Sequence, residues 1–392
     1  MTPSMPFSSV VAPEGAHVVM LAQYLPLHFL STMQKLSRKV GRLTLVISEP
    51  MDATRDWRPD FTGLNVSIQK SLRIPVTHRH PLGFKDAGAV MIPYTTIPDL
   101  RKLRPDVVIA VEVGARTIQA ALLQKIGASF KLIVQVRESE NTASSRGALR
   151  RGVRRFLLPR VDHVFVNGAS GRRHALACGV DAARVSVVPS GTDTDVFGSH
   201  PRIAPSRDEL RLLYVGQLVP RKGVVPFARV LAAVAATTKR PIRWSIAGRG
   251  PQESELRALP WSENVKLEFL GSKPYHELSQ YYEQADVFTM PSLSDEWGLV
   301  VNEAMACGLP VLGCTGAQSV DELVVTGASG WTYEPGNDVA LRAHLNTILS
   351  TPSAEILRMG AEARRVAMKV SDEFAASAIV SGIRRTLATS RS

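Results

Sequence analysis

Apolar residues along this chain cluster in short unbroken runs, and stretches of helical periodicity separate one run from the next. The segment 17–25 (HVVMLAQYL) reads as a buried strand halted by Pro26. Residues 29–40 carry apolar positions at helical spacing, and 43–48 (LTLVIS) is a second strand. The alternation repeats through 105–113 (PDVVIAVEV), a helix beyond Gly114, 131–136 (KLIVQV), 162–168 and, after a helix running to Cys178, 185–191. Runs that are apolar at both odd and even positions belong to parallel strands covered on both faces. From 192 to 210 the periodicity lapses into a polar stretch with Pro201 and Pro205, which reads as a linker. Beyond it the pattern restarts, with strands at 211–216, 242–248, 265–271, 286–292 and 310–314 and helices around 224–237, 276–284 and 298–307. Three helices close the chain, at 341–350, through Arg364 and Lys369, and near 373–388.

The pattern therefore predicts an α/β protein of two Rossmann-like domains facing across a cleft. Residues 1–198 form the first, N-terminal domain, 199–370 the second, C-terminal domain, and 371–392 a helix returning to the first. A length of 392 residues suits two domains, and 45% hydrophobic with 21% charged residues suits an ordinary globular core. No apolar stretch is long enough to span a bilayer, and residues 1–30 lack the pattern of an export signal, so a cytoplasmic protein is expected. Cys178, Cys307 and Cys314 show no metal-ligand spacing. Neither a metal nor a cofactor is expected.

Charge changes this picture in one place. The formal net charge is +12, and residues 1–200 hold 26 Lys and Arg against 15 Asp and Glu, while 201–392 hold 21 against 20. An anionic partner is expected only for the first domain. Its densest cluster is Arg146, Arg150, Arg151, Arg154, Arg155 and Arg160. A helix opening at Gly147 and ending before Pro159 sets Arg150 with Arg154 on one stripe and Arg151 with Arg155 on the next. Leu149, Val153, Phe156 and Leu157 fall on the other side. The cluster is either a solvated face over a packed apolar stripe or a docking site for anionic lipid headgroups at the inner face of the membrane. Interleaved aromatics are absent, so nucleic acid is not the expected partner.

The chemistry concentrates in PSLSDEWGLVVNEAMACGLP, residues 291–310. A strand ends at Ser292, an acidic turn follows, and a helix opens near Gly298. Its unpaired N–H groups would offer an anion site for a diphosphate, at Gly298 and Leu299. Asp295 and Glu303 could meet neutral hydroxyls of a sugar and a ribose; alternatively, Asp295 caps the helix and Glu303 forms a surface pair. This segment resembles the signature of the retaining glycosyltransferases of family 4, whose fold is called GT-B. The closing part, Glu303 to Pro310, stands intact, while the first acid of the motif is Asp295 with Glu296 beside it.

Further matches carry the resemblance through residues 205–370. YVGQLVPRKG, residues 214–223, is similar to the family's phosphate-gripping loop, with Gly216, Arg221 and Lys222, and with Gln217 where the family has an arginine. Gly248, Arg249 and Gly250 match its Gly-x-Gly-Pro turn, Gly271 the stretch near the nucleotide base, and Thr315 to Glu322 the loop flanking the donor. The resemblance implies transfer of a sugar from a nucleotide-sugar donor to a glycan or lipid-linked acceptor, with Lys222, Asp295, Glu296 and Glu303 in the chemistry. In the first domain no glycine-rich loop follows the first strand. Tyr24 and His28 are the candidates there, and Glu138 and Glu140 either bind acceptor hydroxyls or cap the basic helix. The alternatives are an epimerase or phosphorylase of the same shape, a non-catalytic basic binding module, or an inactive relative.

Overall fold

The computed structural model describes residues 12–51, 59–79, 83, 85–138, 140, 147–198 and 208–389. Its first sheet has seven parallel strands, in the spatial order Asn65–Ile68, Arg42–Ile47, His17–Ala22, Val107–Val111, Lys131–Val136, His163–Val166 and Val185–Val187. The second has six, in the order Val265–Gly271, Ile242–Ala247, Leu210–Val215, Val287–Met290, Val311–Cys314 and Gly330–Tyr333. Counted along the chain, both begin third, second, first, fourth, fifth, sixth, which is the doubly wound order, and the first sheet adds its seventh strand at the far edge. Connections leave the first and fourth strands in opposite directions, so a crevice opens at their carboxyl ends.

The unbroken apolar runs follow from helices on both faces. In the first sheet Met20, Leu45, Ile109 and Ile133 enter one core, while Val19, Leu21, Val46, Val108 and Val134 enter another. In the second, Tyr214, Trp244 and Ile246 oppose Leu213, Val215, Ala247 and Phe288 in the same way. Neither parity can be polar when each buries against a helix layer.

The chain returns to the first domain at its end. Ser371 caps the helix Asp372–Ala388, its hydroxyl accepting from the Phe374 amide at 3.2 Å. Ala376, Ile379, Val380 and Ile383 of that helix share a core with Phe29, Met33 and Leu36 of the helix Leu27–Ser37. At its first turn buried Asp372 takes the Lys35 ammonium at 2.6 Å and the Ser31 hydroxyl.

Several elements lie outside the expected pattern. An antiparallel hairpin, Ser71–Arg79 with Lys85–Pro93, and a helix, Thr96–Leu103, occupy a stretch for which the pattern predicted no element. The hairpin joins neither large sheet, and its Leu72 and Ile74 are exposed. The helix expected from 298 is Val300–Ala306, because Gly298 takes a left-handed φ of 90° and starts the turn late. No helix among the described residues is long and apolar enough to cross a membrane.

Candidate functional site

The second sheet's crevice is built from loops at the carboxyl ends of its strands. The amide of Leu218 donates to Arg249 at 2.9 Å, that of Gly248 to Gly271 at 2.8 Å, and that of Leu293 to the Arg221 carbonyl at 2.9 Å. These bonds gather Gly216, Gln217, Arg221, Lys222, Gly248, Arg249, Gly250 and Gly271 around one rim. The approach of the backbones is close: a Cβ on Gly248, whose φ is 154°, would lie 1.8 Å from the Gly216 carbonyl oxygen. Across the rim the Asp295 carboxylate accepts from the Lys222 ammonium, and an Arg221 guanidinium nitrogen stands 3.9 Å from the same oxygen. Arg221 also reaches the Gln217 side chain at 3.4 Å. Two cations and one carboxylate therefore converge where the first and fourth strands of this sheet diverge. Such a group favours an anion that also presents hydroxyls.

Glu303 lies on the helix that follows, 4% exposed. The Tyr282 hydroxyl donates to its Oε2 at 2.8 Å. Phe197 packs edge-on against both Tyr275 and Tyr282. Burial in this aromatic surround pushes the Glu303 carboxyl up to about 7, against the pull of the tyrosine hydrogen bond. It is thus a buried, hydrogen-bonded acid rather than one member of a surface pair. On the same helix buried Asn302 accepts from the Trp297 indole at 2.9 Å and donates to the Ser190 carbonyl of the first domain at 3.0 Å, fixing the helix against both domains. Glu296 and Leu299 lie on the turn, Glu296 exposed.

The first domain contributes a residue that motif reading passed over. Glu112 directly follows the strand Val107–Val111 and holds a left-handed φ of 65°, a costly conformation for a non-glycine residue. Its Oε1 accepts from the Arg137 amide at 2.8 Å. Desolvation, then the charges of Glu296 and Glu138, raise its carboxyl to about 7. Glu112 therefore senses Glu296 of the opposite domain across the gap. The signal in the sequence was a single acid ending a run of Val, Ile and Ala at a strand's carboxyl end. Half-buried Tyr24 lies in the loop that leaves the strand His17–Ala22, and half-buried His28 in the first turn of the helix Leu27–Ser37.

Two expectations are corrected here. Glu138 does not open onto the gap: it is 1% exposed, and its Oε1 takes a guanidinium nitrogen of Arg154 at 2.7 Å. Arg154 accordingly leaves the exposed basic stripe and points inward, because Glu138 offers the buried cation a matched carboxylate. Leu149 and Phe156 stand exposed, so of the two readings of this helix the packed apolar stripe does not hold at these positions. Glu140 bonds the Arg173 guanidinium at 2.8 Å. Arg150 is half-buried, Arg151 and Arg155 are exposed, and Arg146 lies outside the described residues. Glu322 reaches across from the second domain, accepting from the Ser170 amide at 2.9 Å at the start of the helix Ala169–Ala177. No group of three or more His, Cys, Asp or Glu among the described residues is placed to hold a metal.

Comparison with known proteins places this geometry among relatives. Residues 196–366 match the model of glycosyl transferases group 1, and residues 12–191 that of the glycosyl transferase 4-like domain. The chain is similar to the sulfoquinovosyl transferase SQD2 of Arabidopsis thaliana, 26% identical over 332 residues, covering 80% of this chain and 61% of that protein. It is 30% identical over 187 residues to the putative colanic acid biosynthesis glycosyltransferase WcaL of Salmonella typhimurium, covering 45% of this chain and 44% of the relative. The matched segments thus span about half the length of these relatives. Among solved structures, Anabaena HepE in complex with UDP and glucose superposes with a TM-score of 0.70 at 16% identity, covering 94% of this chain and 99% of that one. The two parallel-sheet domains are a GT-B fold.

Proposed function

This chain belongs to the glycosyl transferases group 1 family, and on that premise we propose that it moves a hexose from a nucleotide-sugar donor to a glycan or lipid-linked acceptor, with retention at the anomeric carbon. The observation that carries this reading is the meeting of Lys222, Arg221 and Asp295 at the crevice of the second sheet. Lys222 and Arg221 hold the donor diphosphate, joined by the backbone at Gly298 and Leu299. Glu303 takes the ribose hydroxyls, while Asp295 and Glu296 take those of the sugar.

In the transfer, the bond from the anomeric carbon to the phosphate oxygen breaks and one to the acceptor hydroxyl forms on the same face. The hydroxyl proton passes to the departing phosphate, which leaves as nucleoside diphosphate. Negative charge grows on that phosphate, so a fixed ammonium stabilises the transition state more than the ground state. The acceptor enters along Tyr24, His28 and Glu112 of the first domain, at the cytoplasmic face of a membrane where it is lipid-linked. No metal or cofactor takes part.

The test begins with melting curves in UDP, GDP and ADP, because a nucleotide that binds the native state raises the midpoint. HepE was solved with UDP, so UDP-glucose is the first donor to assay. Lys222→Ala should lower kcat/KM roughly a hundredfold or more while shifting the melting point little. Wild-type turnover in that variant would remove the assignment. An anomeric configuration inverted in the product, read by NMR coupling, would remove retention alone.

A further inference from the structure

Five large apolar side chains on the outer surface of the first domain stand in solvent. Ile118, Leu122 and Ile126 are 47%, 51% and 60% exposed, Leu149 is 82% and Phe156 63%. The first three recur every fourth residue along the helix Ala115–Lys125 and its C-cap, and so form one stripe. Leu149 and Phe156 lie two turns apart on the helix Ala148–Leu157, also on one stripe. A groove lined by Ile118, Leu149, Gly152, Val153, Phe156 and Leu157 joins the two helices, so the stripes make a single apolar surface. A patch of this kind, rimmed by polar groups, marks a site of association.

Four cations stand at the rim. Lys125, Arg151, Arg155 and Arg160 are exposed, and the Arg160 guanidinium lies 4.1 Å over the Phe156 ring. Neither helix carries an acidic residue. Arg154 faces the opposite way, into its buried pair with Glu138, and so anchors the helix Ala148–Leu157 with its apolar stripe outward.

We propose that this surface seats the protein on an anionic lipid bilayer, with Leu149, Phe156, Ile118, Leu122 and Ile126 entering the acyl boundary and the rim cations meeting phosphate headgroups. The inference is independent of the transfer reaction. Charge selects this occupant over others: a second copy would set the same cations against one another. A nucleic acid would satisfy the rim and leave the apolar centre in water.

Co-sedimentation of the full chain with vesicles tests it. Binding to phosphatidylglycerol–phosphatidylcholine vesicles should exceed binding to phosphatidylcholine alone and weaken with salt, each basic residue contributing about fivefold. Leu149→Asp with Phe156→Asp should lower partition at least tenfold, by an approximate count of the apolar surface withdrawn. Arg151→Ala with Arg155→Ala should lower it comparably and flatten the salt dependence. Val339→Asp, at an exposed apolar position of the second domain, should bind as wild type. Melting curves verify that all variants fold. Absence of vesicle binding, wild-type binding by the Leu149→Asp, Phe156→Asp double variant, or a Phe156-dependent dimer or nucleic-acid complex in its place would overturn the proposal.

Discussion

Glu303 shows how surroundings set the behaviour of one side chain. Its folded pKa of about 7 lies above the ordinary 4.5, so between these values the folded protein binds the proton more tightly than the unfolded chain does. Stability consequently falls as pH rises through this window. Glu303→Gln cannot ionise and should gain on wild type across it, by up to about 3 kcal/mol above pH ~7. Parallel stability curves from urea unfolding would contradict this. Arg154 and Glu138 pose the complementary case, with side chains 6% and 1% exposed. Arg154→Leu strands a buried carboxylate and should cost about 3–5 kcal/mol, while adding Glu138→Gln should recover much of the loss. Neither environment is visible in the residues themselves. Glu303 was legible as a site residue from its motif, but its tyrosine partner lies 21 positions away. The pairing of Glu138 with Arg154 crosses from a loop to a helix and carries no spacing signal.

At the level of elements, parallel strands were the easiest to read. Lys131–Val136 matches the expected bounds, since a strand buried on both faces needs every position apolar or otherwise enclosed. The hairpin Ser71–Arg79 with Lys85–Pro93 obeys no such demand and left no comparable trace. Glycine-rich turns were legible as turns, though their necessity is tertiary. At Gly248 the Gly216 carbonyl occupies the space of any side chain, so Gly248→Ala should displace the rim and destabilise the second domain by more than about 3 kcal/mol. Unfolding monitored by circular dichroism would show it, and a wild-type midpoint would refute the close approach.

For the molecule as a whole, the final helix decides how the ends are tied. Ala376, Ile379, Val380 and Ile383 complete a core built mainly from the first sixth of the chain. Stopping the chain at Ser371 would expose that core and strand Lys35 without Asp372. Each large apolar side chain lost should cost about 1.5–3 kcal/mol, so the truncated protein should melt far earlier or precipitate. Unchanged melting would mean that the first domain stands without this helix. Local patterning was enough to reveal two α/β bodies and the phosphate-side motif, because burial of both strand faces and the needs of tight turns are written in neighbouring residues. Packing alone decided that Arg154 turns inward, that Leu149 and Phe156 turn outward, and that Glu112 confronts Glu296. Those outcomes depend on which charges and surfaces the fold brings together from distant positions, and no short-range periodicity encodes such distances.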